Sequence, residues 1–246
     1  MRVPPSDEPR GLPDGGSRAA ELIAAEVRGA APDEVPERMC AAAVRLLPVT
    51  GASASLRGEG VPVRLCASGA RASYLAEIQA TLGTGPCVTA VEEGAPVLAC
   101  DLTSAADAGR WPFFAQQATA VGVRAVYALP LGTDEVCLGT LDLYRDTPGG
   151  LSAPQLRTAR LVAGVITVAL MALPRRQDAW LDEVAGDHDE VYRAVGMIMA
   201  QLRIGADEAL ARLRADAFAR DRTVQAVARE VLTHRRHFGH DADPGP

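Results

Sequence analysis

The 246-residue sequence predicts an α+β domain with an antiparallel sheet, followed by an all-α three-helix bundle. Three observations carry this. Residues 20–173 alternate short β-type runs with helical runs, and consecutive β runs are separated by turn residues, as in hairpins. No strand–GxGxxG–helix unit is present, which argues against a doubly wound parallel sheet. Beyond Pro174 the β pattern stops, and apolar residues recur only at three- and four-residue spacing.

The first 18 residues are polar and rich in Pro and Gly; they are expected to form a disordered lead without a signal-peptide pattern. A helical pattern opens near Ala19, and "PERMCAAAVRLLP" predicts a helix over 36–47. "ASASLRG" and "VPVRLCAS", joined by "GEG", read as a hairpin, and "ASYLAEIQATL" as a helix. "GTGPC" is a loop that opens a helix, with Pro86 at its first position. "APVLACDL" reads as a strand and "RWPFFAQQATAVG" as a helix ending on Gly122. "RAVYALPL" and "EVCLGTLDLYR" are two strong strands around the turn "GTD". A long helix follows from Ser152, its expected cap. Its apolar run, 161–173, is too short to span a bilayer.

In the C-terminal part, Val191, Val195, Ile198 and Leu202 form one apolar stripe; Leu210, Leu213 and Ala217 a second; Val224, Val227, Ala228 and Val231 a third. Gly205 with Glu208 marks the start of the second helix, and Asp221–Thr223 the turn into the third. So small a bundle is expected to lean on a partner or on the preceding helix.

All 25 basic residues are arginine; lysine and asparagine are absent. Residues 1–187 hold 22 acids against 16 arginines, whereas 188–240 carry a basic excess of two. An acidic body does not suit nucleic-acid binding, but the C-terminal piece permits it. The five cysteines (40, 66, 87, 100 and 137) are scattered and odd in number, as expected of reduced thiols in a cytoplasmic protein. Cys87 sits at a predicted helix N-terminus, where the dipole is expected to lower its pKa. The first histidine is His188, which leaves the N-terminal half without an imidazole for haem or zinc. No Walker loop, HExxH or GxSxG occurs, so the chain reads as a non-enzyme without cofactor or metal. His234, His237 and His240 lie in a short basic end.

The segment "GTGPCVTAVEEGAPVLACDL", the W-P-x-F helix and "CLGTLDLYR" resemble, in the same order, the GAF domains of actinobacterial regulators. "VYRAVGMIMAQLRIGADEALARLRADAFARDRTVQAVAREVL" resembles the ANTAR domain, an RNA-binding antitermination module. The resemblance implies a GAF (PAS-like) sensory or dimerisation domain at 19–173, a helical linker at 174–186, an ANTAR three-helix bundle at 187–237 and a disordered tail at 238–246. It also implies a homodimer, an RNA hairpin in a nascent transcript as partner, and an unidentified small-molecule ligand in the GAF half. Tyr74, Cys87, Trp111, Phe114 and Tyr127 are the candidate ligand-pocket residues. Many ANTAR domains place lysine where this chain has Val195, which the helical wheel puts in the apolar stripe.

Gly196 interrupts a helix at a cost of about 1 kcal/mol relative to alanine. With Ala200 one turn on, it makes a flat strip between Arg193 and Arg203, opposite the core. Such a strip admits a phosphate backbone, and guanidinium groups make bidentate phosphate contacts. Arg212, Arg214, Arg222 and Arg229 add positive surface, and Tyr192 is the candidate for base stacking. The same flat strip also suits a partner helix. The alternative reading is therefore a non-catalytic dimerisation and protein-interaction module with no RNA binding. A DNA-binding three-helix module is disfavoured, since Gln225 is the lone base-reading amide on the last two helices.

Overall fold

A computed structural model describes residues 15–58, 61–133, 135–172 and 178–239, with backbone alone at 15–17 and 178–188. In chain order the elements are α1 (Gly15–Val27), α2 (Val35–Leu46), β1 (Gly51–Leu56), β2 (Val63–Ala67), α3 (Ala70–Leu82), α4 (Pro86–Glu93) and β3 (Val97–Ala99). Then come α5 (Ala105–Arg110), α6 (Pro112–Ala120), β4 (Ala125–Gly132), β5 (Cys137–Arg145), α7 (Ala153–Ala172), α8 (Asp178–Leu202), α9 (Ala206–Ala219) and α10 (Val224–Leu232).

The five strands form one antiparallel sheet in the order β2-β1-β5-β4-β3. Side chains alternate across a strand, so the sheet has two different faces. Ala52 and Ala54 of β1, Tyr127, Leu129 and Leu131 of β4, and Leu141 and Leu143 of β5 are buried against α2 and α7, with Ile23 of α1 in the same cluster. Val126 and Ala128 point the other way, with Tyr144, into a cluster that holds Leu75, Trp111 and Phe114. On that second face β1 and β5 carry polar side chains. Ser53 lies opposite Asp142, and Ser55 opposite Thr140. All four are buried.

The helix ends follow their local chemistry. Ser152 and Gln155 cap α7 reciprocally, each backbone N–H bonding the other's side-chain oxygen. Thr223 caps α10 by accepting from the Ala226 N–H. The expected helix over 36–47, both hairpins and all three C-terminal helices are present at the predicted places. The short α5 was not expected; it is capped by Ser104, which accepts from the Asp107 N–H, and it buries no residue. Of the expected lead, residues 15–18 belong to α1 and residues 1–14 lie outside the described residues. Of the expected linker, 178–186 are the first turns of α8 and 174–177 lie outside them. Of the disordered tail expected at 238–246, the structure describes only 238–239, and Phe238 does not fit it. There Phe238 is half-buried and its N–H donates to Gln201 Oε1, while 240–246, with His240, lie outside.

α8, α9 and α10 close on a core that includes Val191, Val195, Ile198, Leu213, Val227 and Val231. Two residues from the N-terminal part, Val61 and Ala80, complete that core. The bundle thus leans on its own chain, as its size requires.

Candidate nucleic-acid interface and sensory cavity

The open strip is built by α8. Val191, Ala194, Val195 and Ile198 turn one face inward, and the 3.6-residue period leaves Arg193, Gly196 and Ala200 exposed on the opposite side. A Cβ at Gly196 would meet nothing within 4 Å. The helix ends where Arg203, also exposed, takes a left-handed conformation with φ 58°. Neither Arg193 nor Arg203 makes an ion pair among the described residues. Val195, at the position of the family's usual lysine, is buried in the bundle core. The positive charge bordering the strip therefore comes from the two flanking arginines.

The other arginines are engaged differently. Arg212 pairs with Glu208 at 3.2 Å, Arg222 with Glu230 at 3.0 Å and Arg229 with Glu190 at 2.7 Å. All three remain at the surface, with local carboxylates offsetting their charge. Arg214 is the exception in position. Its guanidinium reaches across to the α3 terminus, where Gly83 sits at φ +65°. Glycine is required there for its φ, and a Cβ on Gly83 would stand 2.5 Å from the Arg214 Cζ, so the guanidinium would have to move aside. The expectation that Arg214 belongs to the outward positive surface is thus corrected: it is half-buried, and burial lowers its pKa. Tyr192 is likewise no exposed stacking platform, since its hydroxyl is buried within electrostatic reach of Arg214.

Arg214 borders a cavity of about 280 Å³ between the sheet and α4, lined also by Ser55, Arg57, Cys87 and Thr140. Behind this lining lies a buried polar chain. Gln79 Nε2 donates to Asp142 Oδ2 at 3.0 Å, and the Cys87 N–H donates to Gln79 Oε1 at 2.8 Å. Burial raises the Asp142 pKa to about 7 against the opposing hydrogen bond from Gln79. The same burial, helped by the Asp142 charge, raises the Cys87 thiol pKa. The helix-dipole expectation for Cys87 is therefore overturned, because desolvation outweighs the backbone N–H groups that favour thiolate.

Of the five expected pocket residues, only Cys87 lines this cavity. Trp111 and Phe114 are plain core, with the indole N–H of Trp111 bonded to Thr89 Oγ1. Tyr127 lies on the opposite sheet face and its hydroxyl donates to the Gly149 carbonyl. Tyr74 donates to Gln117 Oε1 and lines a smaller groove, of about 80 Å³, shared with Phe218, Asp221 and Arg222 of the helical bundle. Sequence reasoning missed Ser55, Gln79, Thr140 and Asp142. For Ser55, Thr140 and Asp142 the signal was present in the alternation of "GASASL" and "GTLDLY", which places polar side chains at every second position, whereas Gln79, on α3, had no such signal.

The two halves touch at defined points. The Val224 N–H donates to Thr81 Oγ1 at 3.1 Å, and Phe113 and Phe218 meet edge to face with ring centroids 5.3 Å apart. A GAF domain family model matches residues 29–171. The chain belongs to the GAF family. An ANTAR domain model matches residues 181–232, behind the GAF domain. The GAF domain of an Acinetobacter phosphoenolpyruvate-protein phosphotransferase is 11% identical, with a TM-score of 0.52 over 68% of this chain and 100% of that one. A domain of a putative sensor histidine kinase from Sinorhizobium meliloti is 20% identical, with a TM-score of 0.49 over 61% and 96%. Free methionine-R-sulfoxide reductase from Neisseria meningitidis is 16% identical, with a TM-score of 0.49 over 66% and 93%. At these identities the first likeness speaks for fold alone. No curated protein matches the chain. GAF domains often bind small molecules and ANTAR domains bind RNA; both are regulatory and usually non-catalytic.

Proposed function

We propose that this protein is a signal-responsive, non-catalytic, cytoplasmic RNA-binding regulator that acts by transcription antitermination. Its GAF domain (19–173) controls its ANTAR domain (187–237). The observation that supports this reading most is the α8 strip: an exposed, side-chain-poor surface at Gly196 and Ala200, bordered by Arg193 and Arg203. A phosphate backbone can approach such a surface closely and be held by guanidinium groups at both ends. A hairpin held there in a nascent transcript cannot pair into a terminator. The cavity beneath Arg214 is the candidate entry point for the signal, since its lining includes one side chain from the ANTAR domain.

Gly196 separates binding from folding. Gly196→Ala adds a methyl into open space and removes a poor helix former, so it raises stability by about 1 kcal/mol. Chemical denaturation measures this. Gly196→Leu keeps the fold and fills the strip, so it abolishes the gel shift of a hairpin RNA. A shift unchanged by Gly196→Leu would remove the strip from the interface.

The homodimer is supported by α7. Its inner face, with Ala159, Val162, Ala163 and Ile166, is buried on the sheet. This is also the one helix among the described residues long and apolar enough, by length and composition, to cross a membrane, and a third of its apolar window is buried. On its outer side Leu161, Val168 and Met171 are 43%, 68% and 63% exposed, at i, i+7 and i+10. Leu22, on the neighbouring α1, is exposed as well. A second copy laid along this stripe would cover it and bring two ANTAR domains together, so that dimer geometry sets whether paired hairpins are engaged at once. Val168→Glu with Met171→Glu is expected to halve the mass seen by light scattering, from twice 25.8 kDa to 25.8 kDa. A double variant that stays dimeric would place the interface elsewhere.

A further inference from the structure

We propose that Cys40 and Cys66 form a reversible disulfide, making the seam between α2 and β2 an oxidant-responsive modification site. The two Sγ atoms are 3.3 Å apart and unbonded. No other two thiols among the described residues are in contact. Cys40 is fully buried on α2, whereas Cys66, on the edge strand β2, is only partly buried and lines a surface groove with Glu37, Arg64 and Ser73. A covalent bond needs the sulfurs to close to about 2.05 Å. The β1–β2 register shifts between Ala54 and Ser55, beside the Ala54–Cys66 pair, so β2 bends next to Cys66 and is not held there by a regular ladder.

The two thiols are not equivalent. The hydrogen bond to Cys66, and then burial, raise the Cys40 pKa, so Cys40 keeps its proton as long as Cys66 is a free thiol. Cys66 is the one that a solute reaches. The oxidant is a low-molecular-weight disulfide, RSSR. Cys66 loses its proton and its sulfur attacks one sulfur of RSSR, releasing one thiolate, which leaves as RSH. Cys40 then gives up its proton and attacks the Cys66 sulfur, expelling the second RSH. Two protein thiols are oxidised by two electrons, and RSSR is reduced to two RSH. Excess RSH reverses both steps.

The bond ties β2 to α2 and closes a loop between positions 26 residues apart in sequence. Val61, just before β2, is part of the ANTAR core, so the stapled strand is continuous with the domain junction. The thiol chemistry itself stands apart from the RNA reading.

The test treats the folded, full-length chain with glutathione disulfide, alkylates the remaining thiols and maps peptides by mass. The expected product has lost two hydrogens, carries Cys40 linked to Cys66 within one chain, melts at a higher temperature than the reduced protein and reverts with reduced glutathione. In Cys40→Ala, which lacks the second thiol, Cys66 is expected to stop at one stable glutathione adduct. Wild-type protein in which Cys40 and Cys66 are both alkylated after this treatment would overturn the proposal, as would Cys66 linked to a second copy. The wild-type measurement decides the matter even if the variant fails to fold.

Discussion

Reversing both charges in Arg193→Glu with Arg203→Glu is expected to lower affinity for a hairpin RNA by about ten- to a hundredfold and to reduce the salt slope by about two. Both side chains are exposed, and neither makes an ion pair among the described residues, so the fold carries little of the cost. Each guanidinium that neutralises a phosphate releases counterions, and a glutamate in its place adds repulsion. Arg222→Glu is the comparison. Arg222 is already paired with Glu230, so its loss should weaken RNA binding less and stability more. Anisotropy titrations at graded salt measure both effects. Equal losses from the two variants would mean that the bundle acts as a diffuse positive surface.

Asp142→Asn is expected to stabilise the protein strongly at pH 8 and hardly at all at pH 4. The native carboxyl keeps its proton up to about pH 7, whereas the unfolded one loses it near the ordinary value of 3.8. Between these values the native state holds more protons, so raising the pH through this window favours unfolding. The wild type therefore loses stability from about pH 4 to 7, on the order of 3–4 kcal/mol in all. Asparagine has no proton to lose and still offers Gln79 a side-chain oxygen, so its stability stays flat across the window. Urea denaturation at a series of pH values measures the difference. Parallel curves for the two proteins would show that Asp142 titrates normally and that water reaches it.

The sheet and the bundle were legible because their signals are local. The alternation in "CLGTLDLYR" and the three apolar stripes after residue 188 fix which side of each element turns inward. α5 escaped because a six-residue helix with no buried side chain has no apolar period to read. The α8 strip was legible for the same reason as the core, since it is the reverse of the Val191–Val195–Ile198 face. The cavity was misread where aromatic character was taken as a guide in place of strand parity. Parity puts Tyr127 with Leu129 and Leu131, away from Ser55 and Thr140. The position of Arg214 was beyond any wheel or parity rule, because its neighbour Gly83 is far off in sequence and belongs to the other domain.

The central claim is that RNA meets the protein on the bare backbone of α8 at Gly196. It is tested most directly by titrating a two-hairpin RNA against the wild type and Gly196→Leu, with circular dichroism verifying equal helix content. The account predicts salt-dependent binding by the wild type and none by the variant at the same concentrations. Equal binding by both proteins, or no binding by the wild type at low salt, would contradict it.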